Sequence, residues 1–297
     1  MTHSWPPSPL RDDLSRRGIH VCPMFHVGRC GSTVLQTMLL KSGSVFADTE
    51  IYGIHTREQA AATGESAPAG DPTAAAEAFT TSRITRQTQG LGEGVPYVYE
   101  VKFLPSLDMA HFGTGLPGYL DFTEHQFGTE RAIVLSRRNI LRRIVSTQIA
   151  VRRGRFFDQR GSTVELPEIT LPLSGLTLGH ATFGLVDLID TIANGYRTLH
   201  AELESRGYTV LELTYEDHIE SDPRVAFERV CHFLGRPALA VTPAYQRINT
   251  APLSRTLRNF DDVANALADT PHAWMLGETA TSGAATDRAG TAPVHPA

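Results

Sequence analysis

Three cysteines in 297 residues, Cys22, Cys30 and Cys231, are too few and too scattered for a disulfide framework or a zinc site. Their scarcity points to a reducing compartment. Long apolar runs are missing as well. No stretch approaches the ~18 consecutive apolar residues of a membrane span, and "MTHSWPPSPLRDDLSRR" lacks the apolar segment of a signal peptide. Positive charge is not in excess: 27 basic residues face 32 acidic ones, for a net charge of −5. Neither nucleic acid nor a membrane surface is therefore an expected partner, and any anion site must come from a local basic cluster. What is present is an ordinary globular balance, 41% hydrophobic and 20% charged, in a chain long enough for a large core. The expectation is a cytoplasmic enzyme or binding protein.

Residues 1–17 are Pro-rich and polar and read as a flexible tail, and residues 277–297 have the composition of a disordered one. The span 18–276 reads as a single domain. Strand-like runs at 19–27, 97–103, 132–136 and 208–215 alternate with helical stretches at 33–41, 73–89, 139–152, 183–206 and 222–234. Residues 61–72 read as a surface loop, and 154–181, with Pro167 and Pro172, as an irregular excursion. No internal repeat is present. Strands separated by helices predict an α/β fold with a central parallel sheet flanked by helices. Ligands then bind along the edge formed by the strand C-terminal ends.

"FHVGRCGSTVL" (25–35) places a strand, a glycine turn and a helical start in succession. Gly28 and Gly31 allow close backbone approach or positive φ. The free amides of the first helical turn would face an anion, aided by the helix dipole. Ser32 and Thr33 add hydroxyls, and Arg29 adds a permanent charge with a planar fork of donors. A plain strand-to-helix turn capped by Ser or Thr is the alternative. The pattern departs from the phosphate loop Gly-x-x-x-x-Gly-Lys-Ser/Thr, because two residues separate the glycines and no lysine follows. Further on, the strand 132–136 runs into "RRNILRRIVS", delivering Arg137, Arg138, Arg142, Arg143 and Ser146. A magnesium-dependent nucleotide enzyme commonly has an acid at such a strand end. A cationic end suits a second phosphate and offers nothing to a metal; a solvated basic helix face is the alternative.

With these residues in view, the chain resembles the PAPS-dependent sulfotransferases, where PAPS is 3′-phosphoadenosine 5′-phosphosulfate. "GRCGSTVL" is similar to the Arg-Ser-Gly-Thr-Thr loop of the tyrosylprotein, carbohydrate and many bacterial members, with Cys30 in place of serine. Arg138-Asn139 with Ser146 eight positions after the arginine reproduces the family's second element. "VLELTYEDHIESDPRVAFERVCHFLG" resembles its Tyr-Glu-Asp strand end and Phe-Leu-Gly helix end. The resemblance implies a P-loop-like three-layer fold and a metal-independent enzyme with PAPS as sulfuryl donor. It implies that Arg29, Cys30, Gly31, Ser32 and Thr33 cradle the 5′-phosphosulfate, that Arg138 and Ser146 hold the 3′-phosphate, and that Tyr215 lies against the adenine. The acceptor it suggests is a hydroxyl of a small molecule or saccharide, less readily an amine.

The acceptor must lose a proton, so a base is expected. The histidine of the cytosolic small-molecule branch is missing from "EVKFLP", although Lys102 is present. The other branch uses a glutamate soon after the anion loop. Glu50 lies 21 residues beyond Arg29, a spacing that resembles the tyrosylprotein enzymes, and Asp48 is the reserve. Lys102 would approach the bridging oxygen or the sulfuryl group, and Glu100 should share its strand face; a strand-end ion pair is the alternative. His26 reads as a core or supporting residue, while His111 and His125 read as loop residues. Phe156 and Phe157 would line an acceptor channel or anchor a loop. The segment 247–260 carries Arg247, Arg255 and Arg258 but matches the family's last basic loop at no single residue. A non-catalytic nucleotide- or phosphate-binding protein of the same fold, and a nucleotide kinase, are the competing functions. Oligomeric state is not legible.

Overall fold

The computed structural model describes residues 8–55, 71–161, 167–245 and 251–277. Five strands form its sheet: β1 (Val21–His26), β2 (Phe46–Glu50), β3 (Tyr97–Lys102), β4 (Arg131–Ser136) and, after a small hairpin of β5 (Leu176–Leu178) and β6 (Ala181–Phe183), β7 (Thr209–Thr214). Their order is β2-β3-β1-β4-β7, and every pairing in it is parallel. All five C-terminal ends therefore share one edge.

Strand periodicity sorts the side chains between two cores. Phe25, Tyr97, Tyr99, Val101, Ala132 and Val134 pack on one face. Cys22, Met24, Val98, Ile133 and Leu135 pack on the other. The first core is covered by helices α1 (Pro9–Arg16), α3 (Pro72–Gln89), α4 (Gly115–Phe127), α5 (Ile140–Arg153) and α6 (Leu185–Ser205). The second lies under α2 (Ser32–Ser42) and α8 (Pro223–Phe233), with the single turn α7 (Tyr215–His218) between β7 and α8. The result is the α/β architecture with helices on both faces of a parallel sheet.

Three expectations need correction. Residues 9–16 are not a loose tail: Ser8 caps α1, accepting the Arg11 amide, with Pro9 at its first position. Leu14 is 1% exposed in the core, and Arg17 donates to the Thr88 and Leu91 carbonyls at 2.7 and 2.8 Å. Strand β2 and helix α4 had no sequence counterpart, and His125 belongs to α4 instead of a loop. In α4 the apolar side chains Leu116, Tyr119, Leu120 and Phe127 do recur at helical spacing. Gly115, Pro117 and Gly118 in its first turn obscured them. The irregular stretch 154–181 holds β5 and the start of β6, and α6 begins at Leu185. The loop at 61–70, Arg247 and residues 278–297 lie outside the described residues.

Candidate active site

The turn after β1 is built from left-handed backbone. Gly28, Arg29 and Gly31 have φ of 79°, 60° and 89°. Positive φ at an arginine costs of the order of 1–3 kcal/mol. Successive residues of this kind form a concave row of amides suited to an anion. Gly31 is the N-cap of α2 and supplies no side-chain cap, so the first-turn amides are open to a ligand. A Cβ at Gly31 would stand 2.7 Å from Ile219 Cγ2, which excludes any larger residue there.

Beside this turn lies a cavity of about 710 Å³. Arg29, Gly31, Ser32, Thr33, Ser146 and Tyr215, all named from the sequence, line it. Arg29 spans it: Nε donates to Ser146 Oγ at 3.1 Å, Nη1 donates to the Phe156 carbonyl, and the guanidinium sits 5.8 Å from the Phe156 ring centre. Phe156 and Phe157 line the same cavity. Cys30 does not; its thiol is fully buried in the core beneath α2.

Arg138 is outside the cavity as well. Its guanidinium pairs with Asp217 through both terminal nitrogens, and its amide and that of Asn139 donate to Glu216 at 3.0 Å each. The Tyr-Glu-Asp element thus turns Tyr215 toward the cavity and uses its two acids to moor the start of α5. Of the two successive arginines, Arg137 lines the cavity, 8% exposed and stacked 4.4 Å over the Tyr215 ring. Sequence spacing selected the neighbouring arginine, because backbone direction at the strand end decides which of two successive side chains turns inward.

Deeper still, Arg143 is 5% exposed and donates to the Val27 carbonyl. Desolvation pulls its pKa down to about 10. Desolvation, followed by the neighbouring charge of Arg137, also lowers that of Arg29. Among the described residues, none of Arg29, Arg137 and Arg143 pairs with a carboxylate. Buried cations without counter-ions are expensive to maintain. Two such cations, with the partly buried Arg29 beside them, make the turn an anion-seeking site.

No family model and no curated protein matches this chain. A solved structure, a sulfotransferase from Alicyclobacillus acidocaldarius, is similar to it. That similarity spans 85% of this chain and 93% of the other, at 16% identity and a TM-score of 0.43. No helix among the described residues is long and apolar enough to cross a membrane.

Glu50 and Lys102 meet at the ends of β2 and β3, with Nζ 2.6 Å from Oε2. They are half-exposed, 38% and 27% for the two side chains; neither lines the cavity, and Lys102 Cε lies 3.9 Å from where a Cβ on Gly28 would stand. Asp48, the reserve base, is elsewhere. It receives Arg83 through two bonds of 2.7 and 2.6 Å and the Tyr97 hydroxyl at 2.7 Å, all buried on the opposite sheet face. Strand alternation alone would put Asp48 and Glu50 on one face. A register shift between them, a β-bulge, separates the two and sets Glu50 against Glu100.

Glu100, 3% exposed, does not pair with Lys102; its partner is the fully buried His26, with Nε2 2.9 Å from Oε2. The Gly28 amide donates to His26 Nδ1 at 2.9 Å. Desolvation favours the neutral imidazole, while Cys30 and Glu100 together outweigh it and favour proton retention. Asp108, just beyond β3, accepts the Lys102 amide at 2.6 Å, and desolvation raises its pKa to about 7.

His26, Glu50 and Glu100 bring ligand atoms within 4.8 Å of one another, a metal-like spacing. In this arrangement His26 Nδ1 accepts the Gly28 amide and the Lys102 ammonium sits on Glu50.

Proposed function

We propose that this protein is a PAPS-dependent sulfotransferase acting on a hydroxyl of a small-molecule or saccharide acceptor. One observation carries the reading: two buried guanidinium groups, Arg137 and Arg143, and the partly buried Arg29, none with a carboxylate partner among the described residues, surround an uncapped helix N-terminus at the C-terminal edge of a parallel sheet. A ligand with two separated anionic groups would supply the missing counter-charge, and a cavity of about 710 Å³ is of the size that encloses such a molecule. The resemblance of the loop and of the Tyr-Glu-Asp element to the sulfotransferases supports PAPS over other dianions.

In this reading Arg29 and the amides of residues 31–33 hold the phosphosulfate. Arg137, in place of Arg138, holds the 3′-phosphate with Ser146, and Tyr215 packs against the adenine. The acceptor oxygen attacks sulfur as the bond from sulfur to the bridging phosphate oxygen breaks. The electron pair leaves on the phosphate, giving 3′-phosphoadenosine 5′-phosphate (PAP), and the hydroxyl proton passes to Glu50. Arg29, Lys102 and the loop amides stabilise the charge that develops on the leaving oxygens, and this electrostatic preorganisation needs no metal.

The test is a nucleotide panel followed by turnover. Thermal stabilisation by PAP, and not by ADP or GDP with magnesium, is expected; the reverse order indicates a kinase-like protein. Release of PAP from PAPS in the presence of hydroxylated acceptors separates the enzyme from a non-catalytic binder.

A further inference from the structure

Gly28 has no side chain to favour one sign of φ over the other. A half-rotation of the peptide joining Val27 to Gly28 would therefore undo the left-handed start of the anion turn at little intrinsic cost. In the structure this one peptide is held at both of its polar ends. Its carbonyl, on Val27, accepts from the Arg143 guanidinium, and its N–H, on Gly28, donates to His26 Nδ1 at 2.9 Å. We infer, on the reading of this turn as the phosphosulfate site, that Arg143 and His26 are positioning residues. Together they lock the Val27–Gly28 peptide and hold the turn ready for an anion before one arrives.

The two holders come from different elements, and neither lines the cavity. Arg143 belongs to α5 and is 5% exposed; His26 ends β1 and is fully buried. Glu100 on the neighbouring strand sets the imidazole in place, its Oε2 2.9 Å from Nε2. A flipped peptide would turn the Gly28 N–H toward the guanidinium and the Val27 carbonyl away from it. A guanidinium offers donors and no acceptor, so donor would face donor. That amide would be left unsatisfied in a largely buried place, which selects the observed orientation. The lock also accounts for a cation kept in the core. An apolar side chain would pack there without the cost of burying charge, but it would offer the Val27 carbonyl nothing. With the peptide fixed, Gly28 at φ 79° passes the chain to Arg29 at φ 60°, and the amides beyond are preset toward a ligand. Preorganisation of this kind removes an ordering cost from binding.

Relaxation-dispersion NMR of the Gly28 and Arg29 amides in the ligand-free protein reads the lock directly. Both amides should be free of millisecond exchange in the wild type. Arg143→Met, which removes the donor, should introduce exchange at Gly28 and weaken PAP by about 10- to 100-fold. His26→Phe, which leaves Arg143 and its charge intact, should do the same. Arg143→Lys keeps a charged donor, and His26→Asn offers a side-chain oxygen where Nδ1 stood; each should restore the quiet amide and most of the affinity. Circular dichroism checks the fold, and where either Arg143→Met or His26→Phe fails to fold, the other carries the test. Unchanged PAP affinity in these two variants overturns the inference. So does lost affinity with a quiet Gly28 amide, which would make Arg143 a source of charge alone. If the wild type binds no PAP, the functional reading falls by itself, and exchange at Gly28 with titration of inorganic sulfate still decides the lock.

Discussion

Arg137 and Arg138 are adjacent, equally charged and opposite in environment, so replacing each by leucine should give opposite profiles. Arg137 is 8% exposed, stacks on Tyr215 at 4.4 Å and donates one hydrogen bond, to the Arg29 carbonyl at 3.3 Å. Its charge lacks a counter-ion until an anion arrives. Losing one partner of a buried charge pair costs roughly 2–5 kcal/mol, so Arg137→Leu should weaken PAP by about 30- to several-thousand-fold. The same change removes an uncompensated buried cation from the ligand-free protein. A gain of about 1 kcal/mol or more is expected, read as a rise of about 2–4 °C in melting temperature. Arg138 is half-exposed and occupied by Asp217. Exposed pairs contribute about 0–1 kcal/mol, so Arg138→Leu should leave PAP affinity within a few-fold and lower stability slightly. Titration calorimetry with PAP and thermal melts of both ligand-free variants provide the measurements. If Arg138→Leu costs as much PAP affinity as Arg137→Leu, or if Arg137→Leu destabilises the ligand-free protein, the reasoning from unpaired buried charge is wrong.

Four further outcomes follow from the same geometry. Glu50→Gln should keep the fold and PAP affinity while turnover falls by about 10²–10⁴-fold. Asp48→Asn should instead cost roughly 1–3 kcal/mol of stability, because it removes the charge to which Arg83 and Tyr97 donate; full stability in Asp48→Asn with lost turnover would return the base to Asp48. Gly31→Ala should destabilise the protein and abolish PAP-dependent stabilisation, since its Cβ would meet Ile219 at 2.7 Å on a backbone with φ of 89°; unchanged melting would refute the close approach. Asp108 holds its proton to about pH 7 in the folded protein but only to about pH 4 when unfolded. Folding therefore binds a proton in that window, and the group's contribution to stability declines as pH rises from about 4 to about 7. Asp108→Asn keeps an acceptor for the Lys102 amide and removes this decline. Urea denaturation should show the variant gaining on wild type across the window, by at most about 1.4 kcal/mol per pH unit, and a constant difference would refute the raised pKa.

Much of this protein was legible from local pattern. Alternating strands and helices, the glycine turn and the cationic end of β4 each depend on neighbours within a few residues, and periodicity, glycine and charge record such neighbours directly. The short strand β2 escaped notice because its acids read as loop residues until Arg83 and Tyr97, distant in the chain, satisfy Asp48. Helix α1 escaped because its polar residues hid the two leucines that dock, Leu14 in the core and Leu10 packed against it. Only the tertiary structure set Arg137 in the cavity wall with Arg138 against Asp217, and separated Asp48 from Glu50. Both choices turn on a side chain's facing, and one residue of register or a single bulge reverses facing in a strand. The partnership of His26 with Glu100 likewise exists only once β1 and β3 lie side by side, 74 residues apart in the chain and 2.9 Å apart in space.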